Sequence, residues 1–196
     1  SSVQPFFARG TVEGHIFSAI WTRKPIGLPT VLQMSLDAMR GLQVLHEAPG
    51  GPIIHNAMRP EQLLVYGNGT VVVSDLNSCN FMGASRSGEP CPARCDVLHN
   101  ARWNAPELYD EEGYTEKIDI FSMGIIFWQL MALSSIPYEG LQTHEIPGVV
   151  KDNQRPFVHD SWDPSYAQLL QDMWQTDPKA RPSSRQVVAR LEEMVR

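Results

Sequence analysis

Ile54-His55-Asn56-Ala57-Met58-Arg59-Pro60-Glu61-Gln62-Leu63-Leu64 is the stretch on which the reading of this chain turns. Ala57, near its centre, presents only a methyl group, and a methyl cannot accept a proton. Downstream, residues 63–66 and 70–74 flank Gly67-Asn68-Gly69, a turn signal between two β-forming runs that predicts a hairpin. Upstream, Thr30 is placed to cap a helix over residues 31–46. Its Leu32, Leu36, Met39, Leu42 and Leu45 recur at spacings of three and four, which puts them on one face. Pro49-Gly50-Gly51-Pro52 ends that helix.

Further out, residues 76–104 are rich in Ser, Asn, Gly, Pro and Cys and show no sustained period. They predict a long loop, and long loops inside compact domains are usually functional. Residues 118–132 are apolar around nearly the whole helical circumference, which predicts a central buried helix. Residues 12–21 read as a short helix ending before Pro25, and 135–164 as loop with short helical pieces. Residues 165–175 and 185–195 read as two amphipathic helices. Ser183, with Gln186 three positions on, carries a capping-box signature for the second. There is no internal repeat and no low-complexity linker.

The 196 residues suit one domain with a sizeable core, and 42% apolar with 19% charged residues is a globular balance. A net charge of -6 without a basic stripe argues against a nucleic-acid partner and favours solubility. The longest apolar run, 123–133, is interrupted by Gly124 and Gln129 and is too short to span a bilayer. The sequence opens on Ser1-Ser2-Val3, with no basic region followed by an apolar one, so no signal peptide is predicted. The missing initiator Met points to a processed or truncated product.

Cys79, Cys91 and Cys95 fall within 17 residues, and two readings stand open. They are free cytoplasmic thiols, or Cys79 and Cys91 form one disulfide that closes a loop in an oxidising organelle or secretory lumen. The C-x3-C spacing with His99 is a thinner signal for zinc.

In this order of elements, the stretch 54–64 resembles the catalytic loop of a protein kinase, H-R-D-L-x-x-x-N. In that family the Asp receives the substrate hydroxyl proton and the Asn holds a metal ion. Ala57 stands at the Asp position and Gln62 at the Asn position. Asn56 replaces the Arg that reads activation-loop phosphate in many kinases. Arg59 stands where serine/threonine kinases carry a Lys near the transferred phosphate, keeping charge but changing geometry. Gln62 offers an amide oxygen one methylene further out, a poor metal ligand.

Asp75-Leu76-Asn77, 18 residues after Ala57, matches the D-F-G position, whose Asp binds Mg2+. Asp75 is either a retained metal ligand or a carboxylate that caps local backbone. Leu76 is expected to fill the apolar slot of the Phe, and Asn77 to take the left-handed turn of the Gly. Ala101-Arg102-Trp103-Asn104-Ala105-Pro106-Glu107 resembles R-W-x-A-P-E, the end of the activation segment, with a tyrosine-kinase-like flavour. The resemblance implies a buried ion pair between Glu107 and Arg181 of Asp177-Pro178-Lys179-Ala180-Arg181-Pro182, and an Asp119 that receives hydrogen bonds from the catalytic-loop backbone. His55 belongs to the same structural set.

The implied architecture is mainly α with a small β-hairpin, the large C-terminal lobe of a kinase. Residues 1–10 would be a remnant of the hinge and of the N-terminal β lobe, most of it absent, and residues 11–196 the C-lobe. Within it, 55–64 is the catalytic-loop equivalent, 75–107 the activation segment and 118–132 the central helix. No G-x-G-x-x-G and no V-A-I-K occurs. The set that builds shape is present and the set that does chemistry is missing. The expectation is therefore a pseudokinase, a scaffold or interaction subunit without a cofactor. The alternatives are weak Mg-ATP-dependent phosphotransfer or ATP sensing. A protein partner or subunit is expected over the lobe-facing surface near Phe6 and Phe7 and over the 77–104 loop, which carries Ser85 and Ser87.

Overall fold

A computed structural model describes residues 9–82, 101–110, 113–132, 134 and 136–196. The mainly helical expectation holds, and the strands are short. Helix α1, Val12–Thr22, starts where Thr11 accepts the amide of Gly14 at 3.1 Å. It stops at Arg23, whose left-handed backbone (φ 52°) leads into Pro25.

Helix α2, Leu28–His46, begins one turn earlier than the Thr30 cap predicts, with Gly27 at the N-cap. The reason is Pro29. A proline in the first turn lacks only an N–H that would be unpaired there anyway. It extends the helix instead of stopping it.

The hairpin forms from β2, Leu63–Val65, and β3, Val71–Val73, antiparallel with Leu64 opposite Val72. The Tyr66 amide donates to the Thr70 carbonyl at 2.9 Å, and Gly69 takes the positive φ of 93° that the turn requires. A second ladder pairs β1, Ile53–Ile54, with β4, Asn80–Phe81. This corrects the reading of residues 76–104 as loop throughout. Two-residue strands carry no readable alternation. Residues 83–100 of that loop, with Ser85, Ser87, Cys91, Cys95 and His99, lie outside the described residues, as do Phe6 and Phe7.

Helix α3, Lys117–Ala132, is the centre of the molecule, with Ile118 through Leu130 all buried. Against it packs α5, Pro164–Met173, while α6, Ser184–Val195, packs on α2; α4, Ile146–Lys151, lies in the loop-rich stretch between α3 and α5. The capping box of α6 is complete: Ser183 accepts the Gln186 amide, and the Gln186 side chain accepts the Ser183 amide at 2.8 Å. Buried Tyr166 donates to the Phe127 carbonyl at 3.3 Å and receives the Ser35 hydroxyl at 3.2 Å, tying α5 to α3 and α2. No helix among the described residues is long and apolar enough to cross a membrane.

Gly124 lets α5 approach α3. A β-carbon added there would lie 3.1 Å from Met173 Cβ. Gly124→Ala gains about 1 kcal/mol of helix propensity. Overpacking a filled core costs about 1–3 kcal/mol, so the substitution is expected to destabilise by about 1 kcal/mol net. Urea denaturation read at constant m-value checks the sign.

Candidate functional site

The site is built around one buried carboxylate on the first turn of α3. Asp119 Oδ2 accepts the His55 amide at 2.7 Å, and Oδ1 accepts the Asn56 amide at 3.0 Å. His46, at the end of α2, donates from Nε2 to Oδ2 at 3.1 Å, since a carboxylate can only accept. Buried amides need partners, and here one side chain supplies them for two consecutive residues. The 54–62 loop is thereby fixed to the central helix.

His55 is fully buried. Its Nε2 donates to the Ser74 carbonyl at 2.8 Å, which leaves Nδ1 to accept the Ala57 amide at 3.4 Å. The imidazole thus connects the end of β3 to Ala57. Asn56 lies in the left-handed region at φ 65°, where Asn is among the least strained side chains. Its Nδ2 donates to the Ser78 carbonyl at 2.9 Å. This tether between the 54–62 loop and the segment after Asp75 was missed from sequence. The available signal was the tolerance of Asn for left-handed backbone. Ala57 follows, half-buried, with its methyl.

Beyond Ala57, Arg59 Nη1 and Glu61 Oε1 are 3.8 Å apart, a loose pair. Burial, with the negative charge of Glu61 adding to it, holds Glu13 of α1 above the usual carboxylate range. Gln62 is buried, and its carbonyl accepts both the amide and the hydroxyl of Ser74 at 2.9 Å. The next residue, Asp75, is exposed and left-handed (φ 61°).

Two expectations for this turn are corrected. Asn77 does not take positive φ; Asp75 does, and Asn77 Nδ2 donates to Asp75 Oδ1 at 2.7 Å. Leu76 fills no apolar slot, being 54% exposed. Residues 76–78 turn outward as one 3-10 turn, so the side chain has no core to enter. Cys79 is half-buried, and burial beside Asp119 and Asp75 pushes its thiol up to about 11. Its pairing with Cys91 falls outside the described residues.

Glu107 and Arg181, 74 positions apart, form a bidentate pair at 2.6 and 2.7 Å. The Arg181 side chain is 0% exposed and that of Glu107 13%. The guanidinium also donates to the carbonyls of Gln175 (2.7 Å), Lys117 (3.0 Å) and Thr176 (3.2 Å). Just upstream, Trp103 Nε1 donates to Gln129 at 2.8 Å, and the Ser122 hydroxyl to the Trp103 carbonyl at 2.7 Å. Arg102 donates to the carbonyls of Pro137, Tyr138 and Leu141. Residues 101–107 are therefore locked to α3 and to the loop that follows it.

A family profile described as protein tyrosine and serine/threonine kinase matches residues 3–191. The chain belongs to this protein kinase family. Similar proteins include the serine/threonine/tyrosine-protein kinase HT1 of Arabidopsis thaliana, 31% identical over 86% of this chain and 41% of that protein. The serine/threonine-protein kinase STY46 of Arabidopsis thaliana is 28% identical over 93% of this chain and 30% of its own length. The probable serine/threonine-protein kinase drkD of Dictyostelium discoideum is 32% identical over 84% of this chain and 12% of its own. This kinase-family chain spans less than half the length of each of these relatives.

Protein kinases work on Mg2+-bound nucleotide. The donors at the corresponding positions here are one exposed carboxylate, Asp75, and the neutral Gln62. Asp75 Oδ1 already receives Asn77 Nδ2. Among the described residues no group of three His, Cys, Asp or Glu side chains is placed to hold a metal. Mg2+ demands near-ideal octahedral oxygen geometry. These residues do not fit a preformed two-metal kinase site. What the neighbouring residues do is fix backbone: Asp119, His55 and Asn56 hold the loop in shape around Ala57.

Proposed function

We propose that this kinase-family chain is a pseudokinase domain that acts through its surface, as a scaffold or interaction subunit. The observation that carries this reading is Ala57, a methyl directly after two residues whose amides Asp119 holds. Phosphoryl transfer to a hydroxyl needs a group that orients it and takes its proton. Asn56 and Gln62 support the same reading, since each replaces a charged or metal-holding side chain by a neutral amide that packs. A partner is favoured by a groove between α2 and β3, with Asp37 and Arg40 among its lining residues. It measures about 430 Å3, is lined by Val71, Val72 and Val73, and is bordered by Val44, 72% exposed, and Leu76.

The second reading is a divergent serine/threonine kinase with weak ATP-dependent transfer, or an ATP sensor. The exposed carboxylate of Asp75 favours it. Radiolabelled phosphate transfer by the full-length protein separates the two. Loss of a general base typically costs about a hundred- to ten-thousand-fold in rate, so the natural chain is expected to fall that far below an Ala57→Asp/Gln62→Asn variant. Transfer equal to that variant, and abolished by Asp75→Ala, would sink the pseudokinase reading. A melting temperature unmoved by Mg-ATP is expected in parallel, because a ligand that binds only the native state must raise it.

A further inference from the structure

The loop between α4 and α5 carries three rings with no part in the site above. Phe157 is 68% exposed. The His159 ring meets it edge-on, with centroids 4.8 Å apart at 80°. Trp162 lies 5.9 Å beyond His159. The Trp162 amide donates to the His159 carbonyl at 3.1 Å, so Asp160 and Ser161 form the corners of a turn beside the rings.

The exposure is built into the fold. Trp128 Nε1 donates to the Phe157 carbonyl at 2.8 Å. Two residues earlier, Arg155 donates to the carbonyls of Trp174 (2.8 Å) and Val150 (2.9 Å), with its guanidinium 5.0 Å from the Phe121 ring. With Arg155 anchored and the Phe157 carbonyl bonded to Trp128, the Phe157 ring is held at the surface. A large aromatic held in water on a rigid loop is the form that interface anchors take.

The charges on this loop select the partner. Asp152 and Asp160 are exposed, and Asp163 stands at the N-cap of α5. The nearby cations are committed: Arg155 faces inward, and Lys151 pairs with Asp110. We propose that Phe157, His159, Trp162 and Asp160 form a docking site for a protein segment that presents an arginine. A guanidinium can lie flat on an aromatic face while it donates to a carboxylate. A lysine ammonium is compact, strongly hydrated and unable to stack, so it gains mainly the charge term. This inference holds whether or not the domain transfers phosphate.

The test titrates the whole chain with short arginine-rich, lysine-rich and glutamate-rich peptides of equal length. Affinity is read by calorimetry, and the site by the indole N–H resonance of Trp162. The arginine peptide is expected to bind about fivefold tighter than the lysine peptide, the size of one exposed cation–aromatic contact. Phe157→Ala should erase that preference without moving the melting temperature. Asp160→Asn should weaken both cationic peptides. Equal affinity for arginine and lysine in the natural chain, no binding of the arginine peptide, or undiminished preference in Phe157→Ala would each overturn the assignment.

Discussion

Arg181→Ala is expected to lower the stability of this domain by about 3–5 kcal/mol, the range seen when one partner of a buried ion pair is removed. Three losses add. The Glu107 carboxylate, 13% exposed, keeps its charge with little water to replace two hydrogen bonds. The carbonyls of Gln175, Lys117 and Thr176 lose their donor. A long side chain that was 0% exposed leaves a void in the space it filled.

Glu107→Ala should cost a similar amount by the opposite route. It strands a cation among three carbonyls and against the Phe121 ring, 5.1 Å from the guanidinium. Arg155 approaches the same ring at 5.0 Å, so two cations would share one ring with their anion gone. The pair need not be worth that much in itself. Replacing both partners by apolar groups of similar volume is often near neutral, so a Glu107→Leu/Arg181→Met double variant should lose much less than the two alanine variants summed. Equilibrium urea unfolding of the four chains gives the cycle. Single-variant losses below about 1 kcal/mol would mean that water reaches the pair and that 101–107 is held by other contacts.

The legibility of this fold in its sequence follows the range of each signal. Helix α3 declares itself because residues apolar on every side have only one place to go. The hairpin is equally plain from Gly67-Asn68-Gly69. The start of α2 was misplaced because a proline both breaks and begins helices, and the choice depends on what precedes it. Strands β1 and β4 are two residues each, below any period. Within the site, residue type did not show that Leu76 faces water, since a leucine in a loop reads the same either way. The juxtaposition of Glu107 with Arg181 has no local trace; only the resemblance to the kinase family suggested it. The Asn56–Ser78 tether escaped both routes, because the family pattern has Arg at that position and composition does not distinguish a tethering Asn from a solvated one.

The shape of the 54–62 loop should depend on Asp119 to a comparable degree. Asp119→Ala leaves three buried donors without an acceptor: the amides of His55 and Asn56, and His46 Nε2. Each orphaned donor costs about 1–3 kcal/mol, and partial relaxation sets the expected total at about 3–6 kcal/mol. Asp119→Asn retains one acceptor oxygen but turns an NH2 toward a donor, so it should fall between the two. Global stability alone does not separate a loop anchor from a core defect. Hydrogen exchange does, because it reads each amide. In the Asn variant, which is expected to fold, the amides of His55 and Asn56 should lose protection while those of α5 and α6 keep theirs. Ala57 should follow, since its amide leans on His55 Nδ1 at 3.4 Å. If His55 and Asn56 stay protected, the carboxylate is not what holds this loop, and the case that a kinase-family loop has been kept for its shape would lose its physical basis.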